Sequence, residues 1–193
     1  WPAERLAAKP DVHVVSDLPI RQPDASFSHV VAVHPLTRPA DRRRLLVEAL
    51  RVLVPRGQLL LSLPLRGSFA EVSDMLREFA LKSDSTKLAE AVEIAAQSRP
   101  NPETLTEELE DVGFDDPSVS VELLSVPFET GRHFAGHPLF GLVVGPEIAA
   151  GLGLPESAVR PALAYVESAI GKYWSDGPFE LGVNLGCVSA RRP

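Results

Sequence analysis

The chain has 193 residues, a formal net charge of −7 and 45% hydrophobic residues, which is enough for one globular domain of ordinary size. The acidic balance disfavours binding along nucleic-acid phosphates, and no apolar run approaches the length of a membrane span. A single cysteine, Cys187, excludes an intrachain disulfide, and the first residues lack a signal-peptide pattern, so we expect a cytoplasmic protein. Fifteen arginines against four lysines favour a bacterial source of high GC content.

The chain begins with a short helix–strand pattern. Ala3 to Ala8 predict the end of a helix that Pro10 closes, and Asp11 to Ser16, with the letters DVHVVS, predict a short strand.

A strand–helix–strand pattern follows from Phe27 to Leu65. Its first apolar run is His29–Val33 and its last is Gln58–Leu63, and such runs are typical of parallel strands buried on both faces by helices. Asp41 to Leu53 place leucines and alanines on one side of a helix. Because crossovers of this kind are nearly always right-handed, we expect an α/β sheet.

Local signals mark the ends of this first long helix. Thr37 or Asp41 can cap its first turn, Pro39 fits near its start, and Pro55 with Gly57 ends it. Its basic run Arg42–Arg44 we interpret as a solvated helix face rather than a nucleic-acid site.

The rest of the chain continues the alternation of helices and strands. The predicted elements are helices over Ser68–Lys82 and Ser85–Ala96, a helix that opens at Asn101–Pro102 and closes at Gly113, a strand over Val119–Phe128, a glycine-punctuated segment Glu129–Leu154 that covers one end of the sheet, a helix over Pro161–Trp174 and a last strand over Phe179–Val188. No internal repeat or linker divides the chain, so we expect one domain.

Three stretches resemble a known family. FSHVVAVHPL, and then RVLVPRGQLLLSLP at Arg51–Pro64, resemble the fourth strand, the following helix and the fifth strand of class I S-adenosylmethionine-dependent methyltransferases of the type 11 kind. PETLTEELEDVGF is similar to the helix that precedes the family's sixth strand. Three residues depart from the pattern: Val54 and Arg56 replace the usual lysine and glycine, and Ser28 replaces the usual aspartate.

The resemblance implies a Rossmann-like α/β sheet with flanking helices and the strand order three, two, one, four, five, seven, six. It covers nearly all of residues 1–193 but only the later two-thirds of a complete domain, so the single domain is expected to be N-terminally incomplete. The family's first two strands, its glycine-rich cofactor turn and the acidic end of its second strand have no counterpart in the sequence, which contains no GxGxG-like string.

The absent strands would leave His29–Val33 as an exposed apolar edge, which is a template for pairing. Three explanations remain open. An N-terminal segment completes the sheet at this edge, a second copy of the chain fills the gap as a homodimer, or Asp11–Ser16 fold back as an antiparallel hairpin.

The resemblance also implies cofactor-binding residues at the carboxyl ends of the parallel strands. Asp17 and Leu18 would follow the third strand, where the carboxylate accepts a hydrogen bond from the adenine amino group of S-adenosylmethionine. His34 would face the sulfonium or the methyl acceptor and could act as a base near neutral pH. Two plainer interpretations stay open: Asp17 as a turn residue before Pro19, and His34 as a side chain that fills the sheet's end.

Other candidate residues carry less chemistry. His133 and His137 share a loop at a spacing that a metal could use, but no carboxylate or cysteine pattern accompanies them, so no metal site is predicted. Cys187 lies on a predicted strand and is expected to be a core residue, and no GxSxG nucleophile motif exists. No catalytic residue is assigned.

The sequence therefore leads to two functional hypotheses. The first is a methyltransferase acting on a small molecule, provided that an N-terminal cofactor-binding half exists. The alternative is a catalytically inactive methyltransferase-like domain, a pseudoenzyme, that serves as a dimerisation or regulatory interaction module. No nucleic-acid or membrane partner is expected in either case.

Overall fold

The computed structural model describes residues 12–33 and 38–193. In this part of the chain one sheet has four strands, β1 (Phe27–Val33), β2 (Leu53–Pro64), β3 (Asp115–Phe128) and β4 (Phe179–Arg191), in the order β1-β2-β4-β3. β1 is parallel to β2, with His29 opposite Gln58 and Val33 opposite Ser62, whereas β4 is antiparallel to both β2 and β3. The predicted parallel pairing is confirmed.

Helix α1 (Pro39–Val52) connects β1 to β2 and has Pro39 in its first turn, as predicted. The predicted caps are different. Arg38 is the N-cap residue without a side-chain cap, and Asp41 instead accepts a hydrogen bond from Arg38 Nε at 2.8 Å, while Thr37 lies outside the described residues. The helix ends because Leu53 already has extended backbone angles, so Pro55 and Gly57 lie within β2 and do not terminate the helix.

One face of the sheet is covered by α1 and by α4 (Pro102–Val112). The predicted ends of α4 are confirmed: Asn101 Oδ1 accepts from the Thr104 amide at 2.8 Å, and Gly113 has φ 104°, a left-handed conformation that favours glycine. The two helices and the sheet enclose the first apolar cluster, which includes Leu46, Ala49, Leu53, Leu59, Leu61, Leu63, Leu105, Leu109, Val188 and Ala190.

Arg42 corrects the prediction of a wholly solvated helix face. Its side chain is 3% exposed, and the guanidinium forms a bidentate ion pair with Glu108, with distances of 2.9 Å from Nε and 2.6 Å from Nη2 to the two carboxylate oxygens. The arginine is buried because α4 packs against this turn of α1.

The remaining helices form a helical cap. It consists of α2 (Ala70–Lys82), α3 (Thr86–Ser98), α5 (Gly131–Ala135), a π-helical turn (Phe140–Val144), α6 (Gly145–Leu152) and α7 (Glu156–Tyr173). These helices enclose a second apolar cluster together with Phe128 at the end of β3 and Phe179 and Leu181 at the start of β4. The segment after β3 therefore covers one end of the sheet, as predicted.

The face of the sheet opposite α1 and α4 is covered by the helical cap only where β3 ends and β4 begins. The described elements leave the rest of this face uncovered. Val30 and Ala32 of β1 pack on the first cluster, so Val31 and Val33 point to the opposite face, where they are 65% and 76% exposed. The predicted burial of β1 on both faces is therefore wrong. Among the described strands β1 is the edge next to β2, and one of its sides is apolar and exposed. We call this side the open face.

Residues 12–16 do not form the predicted strand or pair with β1 as a hairpin. The chain that follows them is fixed elsewhere: the Ile20 amide donates to Glu48 Oε2 at 2.8 Å, and Arg51 Nη2 donates to the Ile20 carbonyl at 2.7 Å. These contacts hold the segment against the last turns of α1. Asp11 and the predicted helix over Ala3–Ala8 lie outside the described residues.

Candidate functional site

The carboxyl ends of β1 and β2 lie side by side, because the two strands are parallel and Val33 is opposite Ser62. Ligands of open α/β sheets bind at this edge. His34, which follows Val33, lies outside the described residues, so its proposed position toward a cofactor stays a prediction. The described part of this edge comes from the end of β2 and the turn after it.

Asp17 and Leu18 precede the segment that is anchored on α1. Asp17 is exposed and its carboxylate accepts a hydrogen bond from Ser16 Oγ at 2.9 Å, while Leu18 is half-buried and joined to Pro19 by a cis peptide bond. The His13 ring lies 5.4 Å from the ring of Phe27. The contacts described here leave the Asp17 carboxylate accessible and do not test its predicted role toward adenine.

Arg51 fixes the segment between these residues and β1. Its guanidinium donates to the carbonyl oxygens of Ile20 and Gln22 and to the carboxylates of Asp24 and Glu48. The hydrogen bond from Arg51 holds the pKa of Glu48 below its usual value. These contacts are ion pairs and hydrogen bonds to backbone carbonyls, so Arg51 positions the chain before β1 without supplying a reactive group.

The turn after β2 is tied to β4 by hydrogen bonds. The Leu65 amide donates to the Asn184 carbonyl at 2.7 Å, and Asn184 Nδ2 donates to the Arg66 carbonyl at 2.8 Å. Gly67 has φ 88°, a left-handed conformation that favours glycine, and a Cβ atom there would also displace the Asn184 amide, whose Nδ2 would lie 2.7 Å away. The turn is therefore a rigid element at the carboxyl end of β2.

A buried ion pair connects this turn to the helical cap. Arg99 Nε lies 2.8 Å from Glu147 Oε1, both side chains are 4% exposed, and Arg99 Nη1 donates to the Ser68 carbonyl at 3.3 Å. The guanidinium also lies over the Phe69 ring, 5.1 Å from its centroid. This pair was not predictable from the sequence, since no local pattern joins residues that are 48 positions apart.

The two loop histidines lie close together beside an aromatic ring. The rings of His133 and His137 are 5.7 Å apart, and they are 5.8 and 5.3 Å from the ring of Phe128. His137 Nδ1 accepts a hydrogen bond from the Leu139 amide at 3.1 Å, so the lone pair of this nitrogen is already used. Among the described residues, no group of three histidine, cysteine, aspartate or glutamate side chains could hold a metal ion.

Cys187 lies on β4, as expected, between Ser62 of β2 and Ser120 of β3. It is half-buried and belongs to neither apolar cluster, so the expectation of a core residue is wrong. The reason is its direction: Val188 and Ala190 point into the first cluster, and Cys187 points to the open face.

Two open grooves lie on the helical cap. One, of about 720 Å³, runs between α5 and the second half of α7 and is lined by Arg132, Glu167 and Lys172 among others. The other, of about 570 Å³, lies between α2 and α3 beside Leu81 and Ile94. Neither groove includes Asp17, Leu18 or the turn after β2, so neither coincides with the predicted cofactor edge. None of the helices described is long and apolar enough to cross a bilayer.

Comparison with known proteins finds similarity only at the level of structure. No protein-family model matches the sequence, and no curated protein matches it significantly. A phosphoethanolamine N-methyltransferase 2 of Haemonchus contortus, solved with S-adenosyl-L-methionine, is 17% identical with a TM-score of 0.42, and the match covers 88% of this chain and 34% of that one. The chain thus spans about a third of that protein's length.

Two further solved structures are similar over more of their own length. A Bacillus halodurans protein described as a methyltransferase is 13% identical, with a TM-score of 0.44 and coverage of 90% of this chain and 73% of that one. A Thermotoga maritima protein described as S-adenosylmethionine-dependent methyltransferase is 18% identical, with a TM-score of 0.43 and coverage of 100% and 71%.

The strand order and directions define the fold independently of these identities. A parallel pair, β1 and β2, is followed in the sheet by the last strand, β4, which runs antiparallel between β2 and β3. This is the arrangement four, five, seven, six expected from the sequence resemblance. The chain therefore has an α/β, Rossmann-like fold that resembles the later strands of the class I methyltransferase sheet.

Proposed function

We propose that this chain is the later portion of an S-adenosylmethionine-dependent methyltransferase domain that acts on a small molecule, with the cofactor-binding strands completing the sheet at the β1 edge. The observation that supports the proposal is that β1, parallel to β2 on one side, pairs with no described strand on its other side. In the family's strand order, the sheet continues from the fourth strand to the first. The exposed Val31 and Val33 supply the apolar surface that such an addition would bury.

The residues of this chain fit one part of the cofactor. Asp17 presents an exposed carboxylate, which is an acceptor for an adenine amino group, and Leu18 beside it offers apolar contact. The methionine and ribose portions need a glycine-rich turn and a second-strand carboxylate, which we assign to the completing segment. Bound S-adenosylmethionine would supply an electrophilic methyl group.

The chain's own share of the chemistry is alignment. Methyl transfer requires a held donor and an oriented nucleophile, and in some cases a base. In this proposal His34 faces the acceptor as the candidate base. The rigid turn after β2 and the cap joined to it by Arg99 and Glu147 form the wall against which a small acceptor is oriented.

Calorimetric titration with S-adenosylhomocysteine tests the proposal. The ligand is added to the 193-residue chain, to the full natural gene product and to its Asp17→Asn variant. We expect micromolar binding by the full product, binding at least 100-fold weaker by the chain alone, and a roughly tenfold loss in Asp17→Asn, which corresponds to about 1.4 kcal/mol. Ser16→Ala is the matched control, because it removes the neighbouring hydrogen bond without touching the carboxylate.

Two outcomes would contradict the proposal. The full product failing to bind S-adenosylhomocysteine would remove the enzyme hypothesis and favour the inactive interaction module. Equal binding by the chain alone and the full product would show that no completing segment is needed for the cofactor. Unchanged binding by Asp17→Asn would remove only the adenine assignment.

A further inference from the structure

The outer edge of β3 lies at the opposite side of the sheet from β1, and no other described strand pairs with it. Residues 120–125 are six consecutive exposed positions, so both faces of the strand are bare there. The exposed fractions of Val121, Leu123 and Leu124 are 45%, 81% and 40%. Long apolar edges of this kind are normally blocked by lysine, proline or a covering element.

This edge has few of those protections. Prolines occur only toward its ends, at positions 117 and 127, and the stretch between them carries a single charged residue, Glu122. A shift in register at Asp115/Ser118 disturbs only the beginning of the strand. The middle of β3 is therefore able to pair with another strand.

The hydrogen bonds of β4 show which β3 backbone groups are free. The Leu65 amide donates to the Asn184 carbonyl and the Phe69 amide to the Gly182 carbonyl, so even-numbered β4 residues bond toward β2. Odd-numbered β4 residues then bond toward β3. Their partners include Glu122, opposite Leu185, and Ser120, opposite Cys187.

The alternation of an antiparallel ladder assigns the remaining groups to the outside. Because Ser120, Glu122 and Leu124 bond to β4, the amide and carbonyl groups of the residues between them point away from the sheet. The outward-pointing residues are Val119, Val121, Leu123 and Ser125. These groups and the bare side chains form one continuous docking edge.

We propose that a second copy of this chain pairs its β3 with this edge, antiparallel and about a two-fold axis at Leu123. Such an axis makes the contact isologous and closed, as in most soluble dimers. It places outward residues opposite outward residues, with Leu123 facing its own copy and Val121 facing Ser125 of the second copy. It also buries the most exposed leucine of the strand.

Charge disfavours the neighbouring axis at Glu122. A two-fold axis at Glu122 would put the two copies of this carboxylate directly opposite each other, which destabilises a strand pair. With the axis at Leu123, Glu122 instead lies opposite Leu124 of the second copy. In this register β3 is complementary to β3 of its own copy, whereas nothing in the strand specifies the sequence of a peptide partner. For this reason we favour a second copy as the occupant.

The dimer is expected to be weak. The pairing involves residues 118–128 of each copy, about half of the ~20–30 residues that each partner contributes to a standard interface. It therefore dissociates on dilution. The proposal does not depend on the proposed function, because β2 and β4 separate this edge from β1.

Sedimentation velocity over a dilution series tests the edge. We compare the unaltered chain with Leu123→Lys and with the matched control Val31→Lys, which places the same charge on the other free edge at a similarly exposed valine. We expect a monomer–dimer equilibrium whose Kd rises at least tenfold in Leu123→Lys and is unchanged in Val31→Lys. A monomer at all concentrations, or a Kd that Leu123→Lys leaves unaltered, would overturn the proposal, as would weakening by Val31→Lys alone.

Cysteine cross-linking tests the register and does not depend on the lysine variants. In a Cys187→Ser chain, Leu123→Cys places two thiols across the axis at a Cα separation of about 5.5 Å, within reach of a disulfide. Val121→Cys places them roughly 14 Å apart, which is too far. We expect a disulfide-linked dimer under mild oxidation from Leu123→Cys only. Equal cross-linking of both variants would contradict the register.

Discussion

A polar cluster on the surface joins α2 to α7. Glu78 Oε1 lies 2.6 Å from Lys82 Nζ and accepts from the Tyr173 hydroxyl at 2.7 Å, and Lys82 Nζ donates to the Tyr165 hydroxyl. The hydrogen bond from Lys82, with those from Tyr173 and Tyr165, lowers the pKa of Glu78 from 4.5 to about 2. The same contact with Glu78 raises the pKa of Lys82, and hydrogen bonding to the carboxylate raises that of Tyr173.

The shifted carboxyl group makes stability depend on pH. Because the pKa of Glu78 is lower in the folded chain, its stabilising contribution is fully present above pH 4.5 and is lost as the pH falls toward about 2. We expect Glu78→Gln to lower the free energy of unfolding at pH 7, with a difference from the unaltered chain that shrinks below pH 4.5. Urea denaturation at several pH values between 3 and 7 measures this difference.

Glu107→Gln is the matched control, since Glu107 is an exposed helical glutamate on α4. Its effect should be small and should not follow the same pH course. A difference for Glu78→Gln that stays constant from pH 7 to pH 3 would contradict the assigned role of this carboxylate.

At the level of single residues, the sequence predicts what local neighbours determine. Asn101 and Gly113 act as caps within one helix, so their roles were readable from their spacing. Arg42 looked like its solvated neighbours, because its partner Glu108 is 66 positions away. Tertiary partners of this kind carry no local signal, and the Arg99–Glu147 pair was missed for the same reason.

At the level of elements, the sequence predicted which helices and strands exist better than it predicted where each one begins and ends. The sequence predicted a start of helix α7 at Pro161, because proline favours the first turn of a helix. The helix instead begins at Glu156, directly after Pro155 with its non-helical backbone angles, and Pro161 lies inside it. β4 continues beyond the predicted Val188 to Arg191, since β2 and β3 pair with it to that point. Residues 12–16 have a strand-like pattern, but no described strand lies beside them to complete a ladder.

Helices α5 and α7 cross at Gly131. A Cβ atom on Gly131 would overlap the Ile170 carbonyl group, and the Gly131 amide donates to the Trp174 carbonyl at 2.9 Å. We expect Gly131→Ala to separate the helices and to lower the free energy of unfolding by about 1–3 kcal/mol or more. Thermal and urea denaturation, followed by circular dichroism, provide the measurement.

Gly141→Ala tests whether this loss is specific to the crossing, because a Cβ atom at Gly141 meets nothing within 4 Å. Its effect should be neutral or stabilising, by up to about 1 kcal/mol, because alanine loses less backbone entropy than glycine in a helical turn. Equal losses from the two substitutions would mean that helix packing at Gly131 is not the cause.

At the level of the whole molecule, two apolar clusters share one strand. Phe179 and Leu181 at the start of β4 belong to the cap cluster, and Val188 and Ala190 near its end belong to the sheet cluster. The sequence predicted the sheet order from the family resemblance, but it assigned Cys187 to a core. Alternation along β4 shows that a strand can be central in a sheet and still have one open face.

The open face gives a whole-molecule test of the proposed completing segment. In register, Val33, Ser62 and Cys187 form a row about 10 Å long across β1, β2 and β4. A completing segment that also lays a helix over the open face, as both faces of an α/β sheet are normally covered, therefore approaches the half-buried Cys187. We expect the rate of Cys187 labelling by a thiol reagent to fall at least tenfold from the 193-residue chain to the full gene product.

A second thiol separates coverage of this face from a general change in reactivity. Leu142, in the π-helical turn of the cap, is 65% exposed, and a Leu142→Cys thiol in a Cys187→Ser background lies away from the open face. Its labelling rate should be the same in both proteins, because the completing segment joins the sheet and not the cap. Equal labelling of Cys187 in the two proteins would show that its face stays open, and the sheet would then not be completed as proposed.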